Sequence, residues 1–257
     1  MNDVTVIKIG GNIIDDPVSL QKFLHSFSKE KGARVLIHGG GKKASELSRT
    51  MGVEPRMIEG RRITDAATLE IVTMVYAGLI NKNIVAQLQS LQVNALGLTG
   101  ADLNLIKARK RENAQVDYGF VGDFVTEDVN TGQLSRLLEN GITPVFCALT
   151  HDMHGSLLNT NADSLAAGIA IALSEKFNVH LHLCFEKPGV LRDAENDKSV
   201  ILQLDKNEYL SLKSAGKIFE GMIPKLDNAF KAFDKDVDVT IRHALNNSTG
   251  TKLIRHE

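Results

Sequence analysis

The chain has 257 residues, 43% hydrophobic and 24% charged, with a formal net charge of -1. That is ample apolar material for a packed core, as one large α/β domain or two tightly joined lobes, and it excludes a disordered chain. The balanced charge leaves no general electrostatic footprint for nucleic acid or an anionic membrane, so neither is expected as a partner.

In chain order, MNDVTVIKIGG shows no basic leader with a cleavage site, and no uninterrupted apolar run reaches bilayer length; a cytoplasmic protein is expected. The first strand, VTVIKIG, carries Lys8 inside an apolar run and ends in Gly10 and Gly11. A buried ammonium is costly unless an anion meets it, and paired glycines let backbone approach a ligand closely. A helix over 17–31 leads to the strand ARVLIHGG, which feeds a helix over 42–51. Apolar periodicity predicts a long helix over 65–91, then the strand NALGLTG. NLIKARKRENAQVDYGFVGDF alternates around a polar tip and predicts a projecting β-hairpin, with Lys107 to Arg111 solvating it. The strand TPVFCAL, a helix over 161–173, the strand HLHLCF, a helix over 223–233 and the strands VDVTIRH and TKLIRH complete the pattern. Strands alternating with helices predict a parallel sheet with ligands at the strands' carboxyl ends. Element order places a lobe boundary near 174, giving lobes 1–174 and 175–257. Cys147 and Cys184 have no ligand or redox spacing and read as packing residues of a reducing compartment.

Three strand ends, KIGGN, IHGGGKK and GLTGAD, expose backbone N–H groups and are expected to form one anion site. Neither G-x-x-x-x-G-K-[ST] nor G-x-G-x-x-G is present. HDMH and HLHLC offer histidines without a third ligand, so no metal held by side chains is expected there. His38 reads as structural.

The ordered set KIGGN, HGGGKKASEL, GRRITD, GLTGADLNLIKA, GFVGD, LLNTNADSLAAGIA and GMIPKLDNAF spans almost the whole chain and resembles the acetylglutamate kinases, within the amino acid kinase family. The resemblance implies a three-layer α/β/α sandwich around a central, mostly parallel sheet. It implies an amino-terminal lobe that binds the acyl-amino acid and dimerises, and a carboxy-terminal lobe that binds ATP with Mg2+. The reaction would move the γ-phosphoryl group to the side-chain carboxylate of an N-acylated glutamate in arginine biosynthesis. N-acetyl-L-glutamate is the default and N-succinyl-L-glutamate the larger alternative.

By the same resemblance, Lys8 lies near the attacking carboxylate and the transferred group, and Lys225 is the second transition-state lysine on the nucleotide side. Phosphoryl transfer spreads charge over equatorial oxygens, which cations and backbone dipoles stabilise. No general base is needed, because a carboxylate of pKa about 4 is already ionised at neutral pH. Asp163 matches the aspartate that orients both lysines; alone it also reads as a first-turn helix charge. Asn159, Gly40 and Gly41 match substrate contacts, and Arg62 matches the arginine whose planar fork grips a carboxylate. Arg61 is expected to face solvent. Gly10, Gly11, Glu186, Lys187 and Gly189 are the nucleotide-side candidates. The chain departs from the family at CFEKPGV, where Phe185, Glu186 and Lys187 replace smaller or differently charged residues, and at Leu103, where glycine commonly follows the aspartate. Without an extra helix before the first strand, a homodimer lacking arginine feedback is expected. Competing readings are another kinase of the family, acting on aspartate, glutamate, carbamate or a nucleotide, and a non-catalytic ligand-binding regulator on this scaffold.

Overall fold

The seven runs read as strands, joined at one edge by Gln203–Leu204, form one eight-stranded sheet in the computed structural model, which describes residues 2–58, 61–218, 220–246 and 249–256. Gly60, at the head of GRRITD, lies outside the described residues. In chain order the strands are β1 (Asp3–Ile9), β2 (Ala33–His38), β3 (Ala95–Leu98), β4 (Thr143–Cys147), β5 (Asn178–Phe185), β6 (Gln203–Leu204), β7 (Asp238–His243) and β8 (Gly250–Leu253). They lie side by side as β6-β8-β7-β5-β1-β2-β4-β3, and every neighbouring pair is parallel except β7 with β8. β1 is therefore central, with β5 and β2 on its flanks.

Helices cover both faces. They are α1 (Gly11–Asp15), α2 (Pro17–Ser28), α3 (Gly41–Thr50), α4 (Ala66–Ser90), α5 (Thr131–Glu139), α6 (Ala162–Ser174), α7 (Lys206–Ser214) and α8 (Ile223–Phe233). Their starts follow cap chemistry: Asp16 accepts from Val18 and Ser19 N–H before α2, and Asn161 from Ser164 N–H before α6. Side chains alternate along each strand. Val4 and Val6 of β1 and Val35 and Ile37 of β2 join the apolar cluster under α5 to α8, whereas Ile7, Ile9 and Leu36 join the cluster under α1 to α4. Lys8 shares the parity of Val4 and Val6, so the pleat delivers its ammonium to the layer that contains α6 and α8. This is a three-layer α/β/α sandwich.

Four parts of the sequence reading are revised. The strand β6 and the helices α1, α5 and α7 were not anticipated. The hairpin after β3 pairs only Arg109–Lys110 with Gly122–Asp123. α4, at 25 residues with an 18-residue stretch of mean hydropathy 1.2, is long and apolar enough to cross a bilayer by length and composition alone, although Glu70 and Lys82 interrupt its apolar run. Here Ile71, Val72, Val75, Ile84 and Leu88 are buried in the sheet-facing cluster. Finally, Leu103 takes a left-handed backbone at φ 53°, the conformation a glycine would adopt without strain.

His38, at the end of β2, is fully buried and hydrogen-bonded at both nitrogens, to the Gly39 carbonyl at 2.8 Å and Asn81 Nδ2 at 3.0 Å. The carbonyl only accepts, so Nδ1 carries the proton and Nε2 accepts from Asn81, whose second N–H reaches Val145 O at 2.9 Å. Burial pushes the imidazole down to about 4, and burial does the same to His182, with the Arg242 charge adding to it. Both rings are thus neutral in the fold and protonate more readily in the unfolded chain, near 6.5. Stability is fully present above that value and is lost as pH falls towards 4. Urea unfolding is expected to show roughly 1–2 kcal/mol lost per histidine between pH 7.5 and 5. A flat profile would contradict the neutral assignment.

Candidate active site

Strand ends and helix starts meet at the carboxyl edge of β1 and β2, where two cavities open on either side of one carboxylate. Asp163, in the first turn of α6, accepts from Lys8 Nζ at 2.8 Å and from Lys225 Nζ at 3.2 Å, both on Oδ1. Lys225 comes from the first turn of α8, which packs beside α6. The lysines are 8% and 7% exposed, and the Asp163 side chain 15%. Burial opposes the Asp163 charge, but the two ammonium groups override it and hold the carboxyl well below the usual carboxylate range. Burial, reinforced by the Lys8 charge, lowers the Lys225 ammonium despite Asp163. Lys225 also lies 5.4 Å from the centre of the Phe185 ring, so the bulky residue of CFEKPGV forms its wall. The net result is two positive charges held on one negative one, with an electrostatic surplus that an anion would relieve.

The first cavity, about 280 Å³, takes Lys8, Gly11, Gly40, Gly41, Arg62 and Asn159 into its lining. Arg62 is buried; its Nη2 donates to Gly41 O at 2.8 Å and Ser45 Oγ at 2.6 Å, while its Nη1 is buried with no partner. A cation fixed on one side and unsatisfied on the other is built to take a carboxylate. Asn159 Nδ2 donates to Thr64 Oγ1 at 3.0 Å. Gly40 has φ 153°, and any side chain on it would collide with Ile80 Cδ1 and meet Tyr76 Cδ1 at 3.0 Å. The Gly40–Gly41 corner therefore requires glycine, and it starts α3, whose first-turn N–H groups have no intrahelical acceptor.

The second cavity, about 520 Å³, takes Gly10, Gly11, Glu186, Lys187, Gly189 and Lys225 into its lining. Gly11 belongs to both and stands between the two lysines' compartments. At Gly189 a side chain would meet Thr251 Oγ1 at 2.8 Å. Lys187 is paired with Asp197 at 2.9 Å, so its charge is partly committed already. Asp15, also on this wall, has Oδ2 buried without a partner, and burial raises its carboxyl.

All the candidate residues thus line one cavity or the other, or, as Asp163, join them. The third glycine-bearing end does not take part. GLTGAD closes β3 at the far edge of the sheet, and a side chain on Gly100 would abut Thr150 Cα at 3.0 Å and Ile106 Cβ at 3.1 Å, so this glycine serves packing. Arg111 corrects the reading of Lys107 to Arg111 as a solvated run. Its side chain is 13% exposed and lines the first cavity, held by Asp123 through Nε at 2.7 Å and through Nη2, 5.4 Å from the centre of the Tyr118 ring. Arg61 is exposed as expected, yet it stands at the mouth of the same cavity. Tyr76 is a further lining residue, with no local sequence signal to single it out from the apolar face of α4.

The profile of the amino acid kinase family matches residues 3–243. The chain is 51% identical to the acetylglutamate kinase of Cytophaga hutchinsonii, with 99% of each chain covered, and 49% identical to that of Parabacteroides distasonis, with 98% of this chain and 100% of the relative covered. Among solved structures, smu.665 from Streptococcus mutans UA159 superposes with a TM-score of 0.80 at 28% identity, covering 97% of this chain and 98% of that one. With paired lysines on a shared aspartate, two flanking cavities and these matches along its whole length, the chain belongs to the amino acid kinase family.

Proposed function

We propose that the protein transfers the γ-phosphoryl group of ATP to the side-chain carboxylate of an N-acylated glutamate, N-acetyl-L-glutamate by default, forming an acyl phosphate in arginine biosynthesis. The observation that carries this reading is the single Asp163 oxygen that binds both Lys8 and Lys225, one lysine in each cavity. The acyl-amino acid occupies the first cavity. Its α-carboxylate meets the unsatisfied Nη1 of Arg62, Asn159 and the Gly40–Gly41 backbone hold the rest, and its reacting carboxylate faces Lys8. ATP occupies the second cavity, with Gly10, Gly11, Glu186, Lys187 and Gly189 on its walls. Lys225 then lies on the phosphate side.

The acceptor carboxylate is ionised at neutral pH and attacks without a general base. As the phosphoryl group moves between the cavities, Lys8 follows the attacking side and Lys225 the leaving side, and the ammonium surplus offsets the charge on the equatorial oxygens. Asp163 fixes both lysines before reaction begins, so little reorganisation is needed. Asp15, an oxygen donor with an unpartnered buried atom on the nucleotide wall, fits a magnesium ion and would hold it there, where the ion would neutralise phosphate charge. The acyl-amino-acid lobe corresponds to 1–174 and the nucleotide lobe to 175–257. Among the described residues the first cavity is lined only by residues from Lys8 to Ala162, which supports that division. We further propose a cytoplasmic homodimer. Two unpaired buried cysteines suit a reducing compartment, and the exposed Met74 and Leu79 of α4 supply apolar surface for a second copy.

A second reading concerns the acyl group. Lys8 and Arg62 already serve the two carboxylates of glutamate, and Arg111 adds another fixed cation to the same cavity. That favours N-succinyl-L-glutamate, whose acyl group ends in a third carboxylate. The deciding experiment is a phosphorylation assay with Mg-ATP that traps the acyl phosphate and compares N-acetylglutamate, N-succinylglutamate and free glutamate. An acylated substrate is expected to outrun glutamate by orders of magnitude. Equal rates for free glutamate would point to another kinase of the family, and binding without product to a ligand-binding protein on its scaffold.

A further inference from the structure

α4 is not a regular helix. Met74–Ile80 within it is a π-helical stretch of seven residues, in which backbone hydrogen bonds span i to i+5 and which in proteins at large marks functional positions. On an α-helix, residues five apart point about 140° away from each other. Here Tyr76 and Asn81, five apart, both turn inward. Asn81 binds His38 Nε2 and Val145 O, while Tyr76 lines the first cavity and its ring packs against Gly40. The π stretch thus reconciles two inward side chains that a regular helix would separate.

Tyr76 is only 6% exposed, yet a hydroxyl is a poor choice for a purely apolar contact. Its hydroxyl stands with Arg62 around Gly41: a side chain there would meet Tyr76 Oη at 3.7 Å and Arg62 Nη2 at 3.9 Å. Burial raises the phenol and the neighbouring Arg62 charge moderates that, so the group is a neutral donor at working pH. A guanidinium only donates, so the phenol oxygen faces it as an acceptor and its one proton is left for an acceptor in the cavity.

We propose that Tyr76 is a substrate-binding residue whose hydroxyl donates to the second oxygen of the α-carboxylate held by Arg62 Nη1. This rests on the N-acylglutamate reading above and adds a residue to it. The phenol then recognises the end of the molecule that does not react, so its loss weakens binding more than turnover.

The test is Tyr76→Phe, which keeps the ring against Gly40 and removes the donor. With whichever of N-acetyl- and N-succinylglutamate the parent phosphorylates faster, KM for that substrate is expected to rise about tenfold, the scale of one hydrogen bond to a charged group. KM for Mg-ATP and kcat should change by less than about twofold. A second substrate, the 4-acylamidobutanoate with the same acyl group (4-acetamidobutanoate or 4-succinamidobutanoate), keeps the reacting carboxylate but lacks the α-carboxylate; parent and variant should handle it equally. Tyr76→Leu, which also removes the ring, should raise KM for the full substrate further. An unchanged KM in Tyr76→Phe, or an equal loss with the matching 4-acylamidobutanoate, overturns the role assigned to Tyr76 and leaves the kinase reading standing. A parent that phosphorylates no N-acylglutamate overturns both.

Discussion

Lys8→Met is expected to lower kcat by at least about 10²–10³-fold, the range seen when one preorganised transition-state donor is removed, while KM for the acyl substrate changes far less. Methionine keeps the apolar stem that threads between β5 and β2, where Lys8 is in register with Leu183 and Ile37, so the strand should remain packed. What is lost is the charge alone. In the ground state Asp163 already offsets part of the charge of Lys8 and Lys225, so their surplus is called upon chiefly as the phosphoryl group separates from ATP. Stability should survive, because Asp163 and Lys225 then form a balanced pair and one source of the lowered Lys225 ammonium disappears. Steady-state kinetics with urea unfolding of the same sample separate the two effects. Turnover equal to the parent's would sink the proposed role of Lys8.

Every strand of the sheet but β6 was legible because it is a β-branched or apolar run bounded by glycine or polar residues, and α2, α3, α4, α6 and α8 because their apolar residues recur at helical spacing; β6, only Gln203–Leu204, is too short to show a pattern. α7 escaped because it is short and fully buries only Tyr209, while Leu210 faces solvent and Leu212 is half-buried, leaving little periodicity to find. α5 does have an apolar stripe, in Leu134 and Leu138, and the cap signal of Asn130, which accepts from Gln133 N–H. Those cues identify it once cap chemistry is given weight. The π stretch of α4 had no signature: MVYAGLI reads as helix in either hydrogen-bonding pattern.

For the site, the motifs gave the residues but not their neighbours in space. KIGGN and IHGGGKK converge because β1 and β2 are adjacent, whereas GLTGAD ends a strand two places beyond β2, and nothing local distinguishes the three. Arg111 sits among Arg109, Lys110 and Glu112, a solvated run by composition. Only Asp123 across the hairpin, with Tyr118, turns it inward. Lys187 shows the reverse: its charge looked available to phosphate, and Asp197, ten positions later, already holds it. In each case a partner distant in sequence decides what the side chain can do.

Asp163→Asn should damage both stability and turnover, and the way it does so distinguishes an organising carboxylate from a simple helix charge. A first-turn aspartate that served only the helix dipole would contribute about 0.3–1 kcal/mol. Asp163 instead neutralises two ammonium groups with side-chain exposures of 10% and 9%, where screening by water is weak and removing one partner of a buried ion set costs about 3–5 kcal/mol. Asparagine is nearly isosteric and retains an acceptor, so the loss would be electrostatic. The Lys225 ammonium, already lowered by burial and by Lys8, loses the Asp163 charge that raises it. Its proton should therefore leave at lower pH, and the alkaline limb of the kcat profile should move towards neutrality. Adding Lys8→Met to Asp163→Asn removes one of the two unpaired charges, so the double variant should regain part of the lost stability but none of the activity, a coupling that a thermodynamic cycle measures directly. An Asp163→Asn protein with the parent's unfolding midpoint and pH profile would show that the lysines do not depend on this carboxylate.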